Sequence, residues 1–143
     1  MLLGEYDHTL DDKNRLTLPA RLREELGDEV VITRGLDGCL AVYSRPAFDV
    51  LAERMGTLDP LSRETRTMQR YFFTGAPPVE LDKQGRMVVP AKLLEELEIG
   101  REVTIAGVYD HLEIWDRAAW RRELAEVEGS AEHVAERLAA QRD

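Results

Sequence analysis

The sequence predicts a mainly β fold with short helices, of the α+β class, built from two internal repeats. Three observations carry that prediction. The block Leu10-Asp11-Asp12-Lys13-Asn14-Arg15-Leu16-Thr17-Leu18-Pro19-Ala20 returns 71 residues later as Leu81-Asp82-Lys83-Gln84-Gly85-Arg86-Met87-Val88-Val89-Pro90-Ala91, and 9 of the 17 positions from Leu10 to Leu26 are identical at that offset. The order of apolar runs, turn residues and helix signals is the same in both halves. A chain of 143 residues with 43% hydrophobic content is large enough for one shared core. Two units related in this way pack as a pseudo-twofold pair.

Each unit opens with an extended segment, Leu2 to Leu10 in the first and Val79 to Leu81 in the second, after the Pro77-Pro78 break. A tight turn follows at Asp12-Lys13-Asn14 and at Lys83-Gln84-Gly85. Asn14 and Gly85 share one repeat position, and they are the residue types that best tolerate positive φ, so the turn needs a left-handed residue there. Asp11 and Asp82 stand where a short carboxylate accepts hydrogen bonds from turn amides.

Arg15–Leu18 and Arg86–Val89 read as strands, each ended by a proline, Pro19 or Pro90, that suits the start of a helix. The helices that follow close near Gly27 and Gly100. Strands are expected over Val30–Thr33 and Leu40–Tyr43, and over Val103–Ile105 and Leu112–Trp115, with turns at Asp37-Gly38 and Asp110-His111. Ser44 and Asp116 are expected to cap the closing helices.

The repeat extends backwards to pair Leu2 with Phe73 and Gly4 with Gly75. After a one-residue insertion it pairs Tyr43 with Trp115 and Phe48 with Trp120. The expected organisation is therefore residues 1–58 as the first repeat, 59–71 as a linker helix, 72–128 as the second repeat and 129–143 as a charged tail. Asp59 and Pro60 read as the start of the linker helix, whose Arg63, Arg66 and Arg70 share one face. That face is either a solvated connector or a surface for ligand or subunit contacts. The tail is either a loosely held helix or disordered.

Composition narrows the function. The single cysteine, Cys39, rules out an intrachain disulfide and lies among apolar residues, as a core position does. No basic-then-apolar leader and no apolar run of membrane-spanning length is present, so the chain is expected to be cytoplasmic. His8, His111 and His133 lack metal-ligand spacing, no glycine-rich phosphate loop occurs, and no nucleophile–base set accompanies the repeated Asp and Arg. The expectation is a protein that is not an enzyme and needs no metal or cofactor.

A net charge of −9 argues at first against a polyanionic partner, but residues 10–23 and 81–94 each sum to +2. Much of the acid lies near the C-terminus, at Glu123, Glu126, Glu128, Glu132 and Glu136. A rigid turn that displays basic side chains twice suits phosphate contacts and guanine readout. Arg15, Arg86, Lys13 and Lys83 are the candidate DNA contacts, while Asp11, Asn14, Asp82 and Gly85 shape the turns. Arg21, Arg23 and Lys92 are weaker candidates because they fall on helices.

The paired Asp-x-x-x-Arg blocks, Arg70-Tyr71-Phe72-Phe73-x-Gly75-Ala76, the start Met1-Leu2-x-Gly4-Glu5-Tyr6 and Gly107-x-x-x-His111-Leu112-Glu113-Ile114-Trp115 together resemble the MraZ family over roughly residues 1–128. The resemblance implies a double-split, swapped-hairpin β pseudobarrel of the AbrB and MazE type. It also implies a transcriptional regulator of a division and cell-wall operon, assembled as a closed ring on short direct repeats of double-stranded promoter DNA, hence nucleoid-associated. Asp11, Arg15, Asp82 and Arg86 occupy the family's motif positions, and Asn14 departs from its more usual glycine. The alternative on the same fold is an antitoxin-like protein-interaction module, which usually carries one motif copy and a long tail.

Overall fold

A computed structural model describes residues 1–142, so the end of the expected tail, Asp143, lies outside the described residues. In chain order the elements of the first half are β1 (Glu5–Thr9), β2 (Arg15–Thr17), α1 (Ala20–Leu26), β3 (Glu29–Arg34), β4 (Leu40–Ser44) and α2 (Arg45–Gly56). Helix α3 (Arg63–Thr74) joins them to β5 (Pro78–Glu80), β6 (Arg86–Val88), α4 (Ala91–Glu96), β7 (Glu102–Val108), β8 (His111–Asp116) and α5 (Arg117–Ala140).

The eight strands form a six-stranded antiparallel sheet, ordered β1-β7-β8-β4-β3-β5, and a separate ribbon of β2 and β6. Exchanging the two repeats reverses the sheet order and leaves it unchanged. Each N-terminal strand has crossed to the other repeat's hairpin, β1 onto β7 and β5 onto β3. The pseudo-twofold axis passes through the Ala41–Glu113 pair of β4 and β8 and through the Leu16–Met87 pair of the ribbon. This is the swapped-hairpin pseudobarrel.

Alternation in the strands sends Val30, Ile32, Leu40 and Val42, with Val103, Ile105, Leu112 and Ile114, to one face of the sheet, where all are fully buried. The ribbon and the short helices α1 and α4 close over that face with Leu16, Leu18, Leu22, Met87, Val89 and Leu93. On the opposite face the repeat-equivalent aromatic pairs Tyr43–Phe48 and Trp115–Trp120 pack with ring centroids 6.2 and 5.5 Å apart. Cys39 is buried there, where desolvation pushes its thiol well up.

The caps at Ser44 and Asp116 form as expected, each side chain accepting from the amide three residues on. Four local expectations shift. Pro19 and Pro90 are themselves the caps of α1 and α4, offering carbonyls to the first helical turn. Helix α4 ends at Glu96, and Glu98 rather than Gly100 takes the left-handed position, with φ 55°. The cap of α3 is Ser62 rather than Asp59, because Asp59 uses its carboxylate on the Leu61 amide in a turn outside the helix. The backward pairing of Leu2 with Phe73 has no structural counterpart, since Phe73 is helical while Leu2 forms a bridge to Tyr109. The expected tail is helical through Ala140, continuous with α5 across position 129.

Candidate nucleic-acid interface

The repeated turns are near copies at the atomic level. In the first, Asp11 Oδ1 accepts from the amides of Lys13 (2.9 Å) and Arg15 (2.8 Å), and Oδ2 accepts from Arg15 Nε at 2.7 Å. In the second, Asp82 Oδ1 accepts from the amides of Gln84 and Arg86, both at 2.9 Å, and Oδ2 accepts from Arg86 Nε at 2.7 Å. Asn14 (φ 58°) and Gly85 (φ 75°) supply the left-handed residue. Their amides donate to the Asp11 and Asp82 carbonyls.

The Arg15 amide bond, aided by the Arg15 side chain and the Lys13 amide and opposed by burial, holds the Asp11 carboxyl down to about 2 from the ordinary 3.8. The Asp82 carboxyl is lowered for the same reasons, led by the Arg86 amide. A carboxylate depressed in this way stabilises the turn at neutral pH, and that stabilisation is lost only as acid passes from the ordinary value down through the folded one.

Each aspartate engages its arginine through Nε. Among the described residues, no hydrogen bond or ion pair takes the Nη1–Nη2 edge of Arg15 or Arg86. The carboxylate therefore works as a positioner: it fixes the guanidinium plane and leaves the fork outward. The free Nη1–Nη2 edge, with four N–H donors held in one plane, is the shape that matches guanine O6 and N7, or a phosphate, bidentately.

The ribbon brings the two turns into one surface. Arg15 pairs with Val88, Leu16 with Met87 and Thr17 with Arg86, and the ladder continues through Leu18 N to Gly85 O and Val89 N to Asn14 O. Leu16 and Met87 point into the core with no exposure. By alternation Arg15, Thr17, Arg86 and Val88 share the outward face. Arg15 and Arg86 are diagonal neighbours across the ribbon, a relation within reach of long side chains.

The structure thus gathers Arg15 and Arg86 on one face with Lys13 and Lys83 exposed in the turns at either end. The lysines are not repeat equivalents, since Lys13 matches Gln84 and Lys83 matches Asp12. Sequence reasoning missed Thr17, Val88 and Arg101. Val88 is 52% exposed, a large apolar side chain in the middle of a polar face. Arg101 donates from Nη1 to the Asp11 carbonyl, bringing a cation from the second repeat to the first turn. Arg23 does the converse, lying directly over Gly85. Alternation in the ribbon was the available signal for Thr17 and Val88, whereas Arg101 had none.

His111 sits away from this surface, between Asp110 (2.7 Å) and Glu113 (3.1 Å) and stacked on Tyr43. Among the described residues, no group of three or more His, Cys, Asp or Glu is arranged to hold a metal ion. None of the described helices is long and apolar enough to cross a membrane.

The family model described as "MraZ protein, putative antitoxin-like" matches the chain twice, over residues 1–71 and again over 72–142. The chain belongs to the MraZ family. Among its MraZ relatives is the Transcriptional regulator MraZ of Caldicellulosiruptor saccharolyticus, 44% identical over 138 residues that cover 96% of each chain. That of Roseiflexus castenholzii is 45% identical over 139 residues, 97% of each chain. That of Clostridium acetobutylicum is 46% identical over 120 residues, 84% of each.

Proposed function

We propose that this chain is a sequence-specific DNA-binding transcriptional regulator, not an enzyme, that represses its own division and cell-wall operon from the nucleoid. The observation that carries the reading is the β2–β6 ribbon, with two carboxylate-oriented arginines on one outward face. A two-stranded ribbon fits the B-DNA major groove. The two arginines, diagonal neighbours across the ribbon, present their forks to one groove from a single face. Arg15 and Arg86 contact guanines or phosphates, and Lys13, Lys83, Arg23 and Arg101 add phosphate contacts at the two ends. Asp11 and Asp82 do not touch DNA, because phosphate repels a carboxylate and both are engaged in their turns. The relatives' name, transcriptional regulator, supports the same reading.

Thr17 and Val88 break the symmetry of the face at equivalent positions, which gives each protomer a direction on DNA, as direct repeats require. Val88, beside Arg15, suits contact with a thymine methyl. Replacing operator thymines one at a time with deoxyuridine removes only that methyl. At one thymine per repeat it weakens the parent by roughly fourfold, the value of about 0.8 kcal/mol for one buried methyl group. It leaves Val88→Ala unaffected. Equal sensitivity of parent and Val88→Ala at every thymine would remove Val88 from the readout.

With a net charge of −9 and one small basic face, a single protomer binds one repeat weakly. Affinity comes from a closed ring of protomers engaging adjacent direct repeats, the later contacts gaining from high effective concentration. Binding then rises steeply from one repeat to three on duplexes of equal length and falls steeply with salt. A chain that bound one repeat as tightly as three would defeat this mechanism. The antitoxin-like alternative predicts instead no enriched sequence in a selection from random duplexes.

A further inference from the structure

Helix α5 continues well past the residues that anchor it. Trp120 packs on Trp115 and Leu124 is half-buried, but every residue from 125 to 140 is exposed. At 1.5 Å per residue this segment stands about 24 Å off the body. It contains Gly129-Ser130 and packs on nothing, although helices of this length are marginal in water without a packing surface. Val127, Ala131, Val134 and Leu138 recur at spacings of four, three and four, on one face, and continue the stripe that Leu124 begins at the body. The three larger ones are 47%, 44% and 58% exposed. Glu128, Glu132 and Glu136, each four apart, run along the flank. With Glu126 and Arg137 the segment carries 4 acids against 1 base, a net −3.

A second surface has the complementary character. Between α2 and α3 the chain turns with Leu58 45% and Leu61 86% exposed. Arg54, Arg63 and Arg70 are exposed around it, and none has an acidic partner among the described residues. Arg66 is held at the same corner by the Pro60 carbonyl. Residues 54–70 hold 4 arginines against Asp59 and Glu64, a net +2. Asp59 is already occupied by the Leu61 amide.

We propose that the free half of α5 docks on the α2–α3 corner of a second copy of this chain. Within one protomer the two surfaces do not meet, since both are exposed. Apolar stripe then meets apolar corner, and −3 meets +2. Pairing α5 with α5 of another copy would set −3 against −3. The contact joins two different patches, so it propagates head to tail and closes into a ring when the rotation allows. It supplies the interface of the ring proposed above and rests on that reading, but not on the DNA contacts.

The test uses two full-length variants, Glu128→Arg/Glu132→Arg and Arg63→Glu/Arg70→Glu, with solution mass read by light scattering and folding read by thermal melting. Each variant alone repels itself at the contact and drops to the protomer mass of 16.3 kDa with melting unchanged. A 1:1 mixture pairs a basic α5 with an acidic corner, and an acidic α5 with a basic corner, and returns to the parent mass. Retention of the parent mass by both variants overturns the proposal. So does loss of mass in the α5 variant alone, which would place the partner of α5 somewhere other than the α2–α3 corner. Binding to a single repeat, measured alongside, is unchanged in every variant. If the parent failed to bind DNA while the masses behaved as stated, the DNA reading would fall and the contact would stand.

Discussion

Arg15→Ala and Arg86→Ala each abolish tight binding to a promoter carrying three repeats while leaving the fold intact. Each guanidinium fork that meets a guanine or phosphate is worth about 1–3 kcal/mol of binding in each engaged protomer. Three protomers on three repeats lose that amount three times, about 3–9 kcal/mol in all, so the combined weakening is roughly 10²- to 10⁶-fold. Neither arginine supports the core, since each sits on the outward face of the ribbon and its aspartate keeps two turn amides when the side chain is removed. Gel shifts on protein with a parental melting temperature give the result directly. Affinity within twofold of the parent for both variants would remove the ribbon from the interface. Asp11→Asn is milder, because the amide oxygen still accepts from the Lys13 and Arg15 amides while the guanidinium loses its charged anchor. If it harmed binding as much as Arg15→Ala, the aspartate would have to touch DNA itself.

Gly85→Val destabilises the protein while Asn14→Gly, at the equivalent position, leaves it within about 0.5 kcal/mol of the parent. Two independent costs meet at Gly85. Its φ of 75° is a conformation that a β-branched residue adopts only under strain. A Cβ there would also overlap Nη1 and Cδ of Arg23, so the arginine must leave its place. Together these cost about 2–4 kcal/mol, a fall in Tm of roughly 5–15 °C for a domain of this size. Displaced Arg23 also removes a cation from the second end of the ribbon, so DNA binding weakens beyond what stability explains. Asn14 already holds φ 58°, and glycine takes that conformation at least as readily. Equal melting of Gly85→Val and the parent would refute this account.

Features that depend on neighbouring residues were legible in the sequence alone. The left-handed position shared by Asn14 and Gly85, the carboxylates that gather turn amides, the caps at Ser44 and Asp116 and the register linking Tyr43–Phe48 to Trp115–Trp120 all form as expected. Each is decided within a few residues by backbone sterics, a local hydrogen bond or side-chain period, so the chain carries the whole cause. The expected start of α3 at Asp59 failed on the same ground, because two local acceptors competed and the turn at Leu61 took Asp59.

Partnership across the chain was decided only by the tertiary structure. A three-residue strand such as Arg15–Thr17 has the same alternation whatever it pairs with, so nothing local states that it faces Arg86–Val88 or that Val88 lies beside Arg15. Pairing across the repeats is favoured because it buries Leu16 against Met87 under both halves at once, a gain spread over residues 71 apart. The arrival of Arg101 at the first turn and of Arg23 over the second follows from that exchange, as does the convergence of two separate motifs into one face. The two closing helices part for a related reason. The chain after Gly56 turns back as α3, whose carbonyl at Phe72 accepts from buried Thr33 on the sheet. The equivalent stretch of α5 has no such contact and runs straight on. Local sequence set the elements and their turns, and the burial shared between the halves set which surfaces they form.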